Sequence, residues 1–179
     1  GIVGICAAIS LIEKGVEVLL IDRNEPAEGA SHGNAGVVSP WTCVPQSMPG
    51  LWRSVPKWLL DPEGPVALRW SYIHKFAPWA LKFLAAGHEE RLPTIADAMQ
   101  ALNRPNIELY RQFLAGTGQE HLIVDSMYVH VYRNKDAVNL KALAWKLREE
   151  RGVPIELVGP EELHEIEPAL SPNFKSAAL

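Results

Sequence analysis

The sequence has little cysteine: two in 179 residues, Cys6 and Cys43, which form no CxxC pair and no metal-ligand spacing. Two isolated thiols fit a reducing compartment and exclude a disulfide-stapled scaffold. Long hydrophobic runs are also missing, and none approaches the roughly 20 residues that span a bilayer. The first residues lack the basic start and longer apolar core of a cleaved signal. There is no excess of positive charge. A net charge of −4 argues against a general nucleic-acid binder. The histidines at 32, 74, 88, 121, 130 and 164 share no ligand spacing, so no metal site is expected. Internal repeats and low-complexity tracts are absent.

What is present is an ordinary globular composition, 47% hydrophobic and 21% charged, in a chain long enough for one domain or one and part of another. It opens Gly1-Ile2-Val3-Gly4, continues through a small apolar stretch to Gly15, and then reads Val16-Glu17-Val18-Leu19-Leu20-Ile21-Asp22. Ile5, Ala8, Ile9 and Ile12 recur at helical spacing, and Gly15 suits the left-handed position that ends a helix. Residues 16–21 form a nearly continuous apolar run, as in a parallel strand covered on both faces. Those are the last two glycines of a G-x-G-x-x-G turn, its helix, the next strand and a terminal acid. The strand and glycine that would precede them are missing, so the chain is expected to be an N-terminal fragment.

Further along, residues 40–87 read as irregular, with short helices between prolines. Thr94 and Asp97 are spaced to cap a helix, and Pro105 to start another carrying Ile107, Tyr110 and Leu114. Residues 125–133 alternate as a strand, with Met127, Val129 and Val131 on one side and Tyr128, His130 and Tyr132 on the other. Leu140, Leu143, Ala144 and Leu147 mark an amphipathic helix ending near Gly152. Residues 153–158 read as a strand, and Gly159-Pro160-Glu161-Glu162 opens a helix that Pro168 stops.

The opening carries chemistry. A helix N-terminus holds a pyrophosphate through unpaired backbone N–H groups and about half a unit of positive charge. Glycine at position 1 permits the backbone to approach phosphate, and Gly4 allows tight packing of helix on strand. Asp22 stands where an acid hydrogen-bonds a ribose hydroxyl, which disfavours a 2′-phosphate and hence NADP. The acid alone does not separate NAD from FAD. The loop Gly29-Ala30-Ser31-His32-Gly33-Asn34-Ala35-Gly36-Val37-Val38-Ser39-Pro40 offers small residues, a hydroxyl and an amide where a longer ligand would run, and so favours FAD.

With these residues the chain resembles the FAD-dependent D-amino-acid oxidase superfamily. Gly1-Ile2-Val3-Gly4, Ile21-Asp22-Arg23 and Gly29-Ala30-Ser31…Gly33-Asn34-Ala35-Gly36 carry the resemblance. A third segment is more particular: Met48-Pro49-Gly50-Leu51, Val55-Pro56-Lys57-Trp58-Leu59-Leu60-Asp61-Pro62, Gly64-Pro65, Arg69-Trp70-Ser71-Tyr72 and Ala77-Pro78-Trp79. It is most similar to the bacterial D-amino-acid dehydrogenase subgroup. The resemblance implies an α/β FAD-binding domain with a doubly wound, Rossmann-like sheet lacking its first strand, plus part of an α+β substrate domain with a mixed sheet. It places residues 1–45 in the FAD-binding domain, 46–155 largely in the substrate domain, and 156–179 on the return to the first.

The implied activity is oxidative deamination of D-amino acids. A hydride passes from the α-carbon to flavin N5, the imino acid hydrolyses to a 2-oxo acid and ammonia, and electrons go to a respiratory quinone. An oxygen-using amine oxidase, such as a glycine or sarcosine oxidase, is the alternative within the class. A non-catalytic truncated fragment is the alternative outside it. Carried over by position, Gly1 and Gly4 meet the pyrophosphate, Asp22 and Arg23 the adenosine end, and Ala30, Ser31, Asn34, Ala35, Gly36 and Val37 the path toward the flavin. No catalytic residue is assigned, because the substrate-binding residues of such enzymes normally lie beyond position 179. The implied location is cytoplasmic, with peripheral contact at the inner membrane's cytoplasmic face.

That contact would use residues 52–79, where Trp52, Trp58, Trp70 and Trp79 alternate with Arg53, Lys57, Arg69 and Lys75. Tryptophan beside basic side chains suits a lipid headgroup interface. The competing reading packs these aromatics into a core between domains. His32 reads as a solvent-facing loop residue and Cys43 as a buried free thiol.

Overall fold

The computed structural model describes residues 1–64, 66–134 and 138–179. Pro65, one of the residues carrying the resemblance, lies outside them. The helices are α1 (Ile2–Glu13), α2 (Val55–Leu60), α3 (Ile73–Ala86), α4 (Leu92–Asn103), α5 (Asn106–Leu114), α6 (Leu143–Glu149) and α7 (Pro160–Ile166). The strands are β1 (His130–Tyr132), β2 (Leu157–Val158) and β3 (Ser176–Ala178). Contacts divide the chain into two compact units, one of residues 1–39 with 106–123, the other of 40–105 with 124–179.

The first unit holds α1, an extended segment, the small-residue loop and α5. Helix α1 is apolar along its length and ends in a Schellman motif. Gly15 takes φ 76°, its N–H donates to Ile12 O at 2.9 Å, and the Val16 N–H donates to Leu11 O at 3.0 Å. Only glycine adopts that backbone without a steric penalty, so the sequence ends the helix where the spacing indicates. No described residue of this unit is fully buried.

The second unit has a three-stranded antiparallel sheet in the order β1-β3-β2. His130 pairs with Ala178 and Tyr132 with Ser176, while Leu157 also pairs with Ala178 from the other side. Val129 and Val131 join a core of Val158, Leu163 and Ala177, so the alternation read in this strand places its valines inward. Pro160 opens α7 with Glu161 and Glu162 in the first turn, next to the positive end of the helix dipole. A second core gathers Cys43, Leu92, Ala96 and Leu147. Arg151 ties it together: its guanidinium lies 2.6 Å from Asp97, donates to Pro93 O at 2.7 Å and to Leu147 O at 3.0 Å.

Several elements differ from expectation. Residues 16–21 pair with no strand among the described residues, and Leu19 and Ile21 are 85% and 82% exposed. A parallel strand draws its ladder from neighbours and its burial from helices on both faces. Here α1 lies against the segment near Leu20. Asp22 therefore follows an extended segment, not a paired strand. The strands expected over 125–133 and 153–158 shrink to His130–Tyr132 and Leu157–Val158, the stretches that β3 reaches. Residues 40–87 are more helical than read, because α3 runs 14 residues with Pro78 inside it. Proline removes one backbone hydrogen bond there, yet Phe76, Ala80 and Phe83 keep a continuous inner stripe. Thr94 is not a cap: α4 starts earlier, with proline in its first turn and no side-chain capping bond.

Candidate functional site

The N-terminus of α1 forms the centre of the candidate site. The first N–H groups of a helix have no intrahelical acceptor. That of Ile2 donates to Ser31 Oγ at 2.9 Å, a cap supplied from 29 residues away. That of Val3 has no protein acceptor among the described residues, so one donor remains open. Gly1 sits beside this cap, and a Cβ there would stand 3.1 Å from Ser31 Oγ, tighter than an ordinary contact. Gly4 lies a turn further on, where a Cβ would meet Leu20 Cδ1 at an ordinary 3.8 Å.

Asp22 is fixed by an Asx turn. Its Oδ1 accepts from the Arg23 N–H at 2.7 Å and the Asn24 N–H at 3.5 Å, and its Oδ2 lies 3.7 Å from the Gly1 nitrogen. The Arg23 N–H, and after it that of Asn24, holds the carboxyl below its ordinary value of 3.8. The carboxylate is therefore charged at neutral pH and remains open to solvent, as a ribose acceptor must be. A cavity of about 230 Å³ is lined by Gly1, Ile5, Leu20, Asp22, Asn24 and Pro26.

The small-residue loop folds on itself through its polar members. Asn34 Nδ2 donates to Ser31 O at 2.7 Å, and Asn34 Oδ1 accepts from the Gly36 N–H at 2.7 Å. Gly33 and Gly36 take φ 69° and 67°, positions that L side chains rarely adopt. The structure thus brings Gly1, Asp22 and Ser31 together at the start of α1, and Asn34 ties Ser31 to Gly36 through hydrogen bonds. Arg23, Ala30, Ala35 and Val37 are exposed, and of these the Arg23 N–H donates to Asp22. Asn24 and Pro26 were not singled out in the sequence. The signal for Asn24 was its position two residues after an aspartate, the spacing of an Asx turn.

The residues fit an anionic, hydroxyl-bearing ligand. An open helix N–H and a glycine whose Cβ would crowd the cap suit phosphate; a fixed carboxylate suits a ribose hydroxyl. The cavity is smaller than the roughly 300–1,000 Å³ typical of whole-ligand pockets.

His32 is exposed in the loop. Cys43 belongs to the other unit and is a fully buried free thiol whose pKa is pushed up by burial, against the opposing pull of Arg151 and Arg148. No group of His, Cys, Asp and Glu among the described residues could hold a metal ion. No helix among the described residues is long and apolar enough to cross a membrane.

Comparison with known proteins gives the same direction. The family model of the FAD dependent oxidoreductases termed DAO matches residues 1–179. A D-amino-acid oxidase of Bradyrhizobium diazoefficiens is 36% identical over 177 residues, covering 97% of this chain and 42% of that protein. A D-amino acid dehydrogenase 2 of Mesorhizobium japonicum is 28% identical over 172 residues, 96% of this chain and 41% of that one. A D-amino acid dehydrogenase 2 of Ralstonia nicotianae is 38% identical over 104 residues, 58% of this chain and 24% of that one. The chain thus spans about two fifths of the length of the first two relatives. No solved structure matches it significantly. The chain belongs to the DAO family of FAD-dependent oxidoreductases.

Proposed function

We propose that this chain supplies the adenosine and pyrophosphate end of an FAD site in an enzyme that oxidises D-amino acids. The observation that carries the reading is the meeting of Gly1, Ser31 and Asp22 at the N-terminus of α1. The open Val3 N–H and the helix dipole would hold a pyrophosphate oxygen, with Gly1 and Gly4 permitting the approach. Asp22 would accept from the adenosine ribose, with Arg23 beside it. Ala30, Ser31, Asn34, Ala35, Gly36 and Val37 would flank the path toward the flavin. Residues 1–45 and 156–179 belong to the FAD-binding domain in this reading, and 46–155 largely to the substrate domain. The doubly wound sheet would be completed by a strand pairing with residues 16–21.

FAD, when bound, accepts a hydride from the substrate's α-carbon, and the resulting imino acid hydrolyses to a 2-oxo acid and ammonia. The residues described here would place the cofactor and would take no proton from substrate. The favoured electron acceptor is a respiratory quinone, because the segment from Met48 to Trp79 resembles the dehydrogenase subgroup. Direct transfer to oxygen is the second reading, favoured by the name of the Bradyrhizobium relative.

The test is the anaerobic mixing of the flavin-loaded full-length protein with paired D- and L-amino acids, followed by a quinone analogue or oxygen. Flavin bleaching by D-amino acids alone, and faster reoxidation by quinone, are expected. Bleaching by neither enantiomer would remove the substrate assignment. Faster reoxidation by oxygen with peroxide release would select the oxidase.

A further inference from the structure

In the FAD reading Asn34 flanks the path toward the flavin, yet both ends of its amide are engaged by the chain's own backbone. Nδ2 donates to Ser31 O at 2.7 Å, and Oδ1 accepts from the Gly36 N–H at 2.7 Å. These partners also fix which end of the amide is which, since a carbonyl calls for the NH2 end and an N–H for the oxygen. Ser31 in turn reaches across 29 residues, and its Oγ accepts from the Ile2 N–H at 2.9 Å. A continuous line of hydrogen bonds therefore runs from Gly36 through Asn34 and Ser31 to the start of α1.

Apolar packing contributes little to this loop. Ala30 and Ala35 are the only apolar side chains between Gly29 and Gly36, and both are exposed. Gly33 and Gly36 take φ 69° and 67° on either side of Asn34, and ordering glycine costs more backbone entropy than ordering any other residue. The asparagine closes the turn that these two residues make. Without it, Ser31 would hold the Ile2 N–H from a loop that is no longer fixed. The serine also stands against the pyrophosphate turn, since a Cβ at Gly1 would lie 3.1 Å from its Oγ. After accepting from Ile2 the hydroxyl still has its own proton to donate to an anion.

We infer that Asn34 is a positioning residue for the cofactor, acting through Ser31 on the pyrophosphate end and not by touching the flavin. Its amide fixes residues 29–36 against the N-terminus of α1, and the braced serine hydroxyl offers its proton to a phosphate oxygen. The inference rests on the FAD reading of this site.

The experiment is a double-mutant cycle on the flavin-stripped full-length protein, read by FAD affinity and by backbone amide exchange. Asn34→Ala alone should weaken FAD binding by about tenfold, the worth of one or two hydrogen bonds. In a Ser31→Ala background the same change should cost less than about twofold, because residues that act through one partner are not additive. In the flavin-free protein Asn34→Ala should speed exchange at Ile2 and leave α6 unchanged, whereas a residue that only contacts the ligand would move neither. Asn34→Asp keeps an acceptor for the Gly36 N–H but loses the donor to Ser31 O. It should leave Gly36 slow to exchange and still speed Ile2. Additive losses of FAD affinity, or Ile2 exchange that neither Asn34 variant alters, would overturn the inference alone. Faster exchange in α6 with both Asn34 variants would mean general destabilisation and would also overturn it. Failure of the unaltered protein to bind FAD would overturn the reading of the site and the inference with it.

Discussion

The two units of this molecule are ordered in opposite ways. Residues 1–39 with 106–123 contain no fully buried residue among those described, yet they hold the whole candidate site, arranged by hydrogen bonds to and from Ser31, Asp22 and Asn34. Residues 40–105 with 124–179 contain both apolar cores and none of the cofactor-facing candidates. One unit is shaped by polar backbone contacts that suit a ligand, the other by burial that suits stability. A site built on unpaired helix N–H groups and small residues has little apolar area to bury, so its order must come from elsewhere.

The sharpest way to break this contrast is to cut both units with the same substitution. Leu147 is 2% exposed, and Leu147→Ala should cost about 2–5 kcal/mol of unfolding free energy. Leu19→Ala in the first unit should stay within about 0.5 kcal/mol, since that side chain is exposed. Denaturant unfolding of residues 1–179 measures both. Equal costs would mean that residues 16–21 are buried after all.

Next in size is the ligand side of the contrast. Asp22→Ala should weaken FAD binding by about ten- to a hundredfold, the worth of a charge-assisted hydrogen bond. Because the Asp22 pKa is lowered, its contribution is complete above the ordinary value of 3.8 and is lost only as pH falls through the lower folded value. Affinity for FAD should therefore be flat across the weakly acidic range. Isothermal titration at several pH values tests both statements.

Ser31→Ala removes the side-chain partner of the Ile2 N–H and should destabilise the start of α1 by about 1 kcal/mol. Faster amide exchange at Ile2, with exchange in α6 unchanged, would locate the effect in the first unit.

The smallest expected effect lies in the second unit. His130 lies edge-on to Trp145 at 5.3 Å, and burial, with Arg148 nearby, lowers its pKa below 6.5. The unfolded chain then binds a proton more readily than the folded one. Stability is complete above 6.5 and declines as pH falls toward the folded value. His130→Gln should flatten that slope in thermal unfolding scans.

What could be read from the residues follows the same division. Gly15, Pro160 and the valines at 129 and 131 were legible because local backbone rules and two-residue periodicity act without partners. The site residues were legible as types at a spacing, and the Ser31 cap on Ile2 needed the structure, because its members lie 29 residues apart. Helix α3 was hidden by Pro78, which reads as a breaker but costs only one hydrogen bond at an exposed position. The segment 16–21 has the composition of a covered strand, but composition supplies neither the ladder nor the cover.

The central claim is that residues 1–39 form the adenosine end of an FAD site. Titrating flavin-stripped full-length protein with FAD, in the presence and absence of excess NAD, tests it most directly. Saturable FAD binding that NAD does not displace and that Asp22→Ala weakens is the expected result. Binding of NAD in preference to FAD, or FAD affinity indifferent to Asp22→Ala, would contradict it.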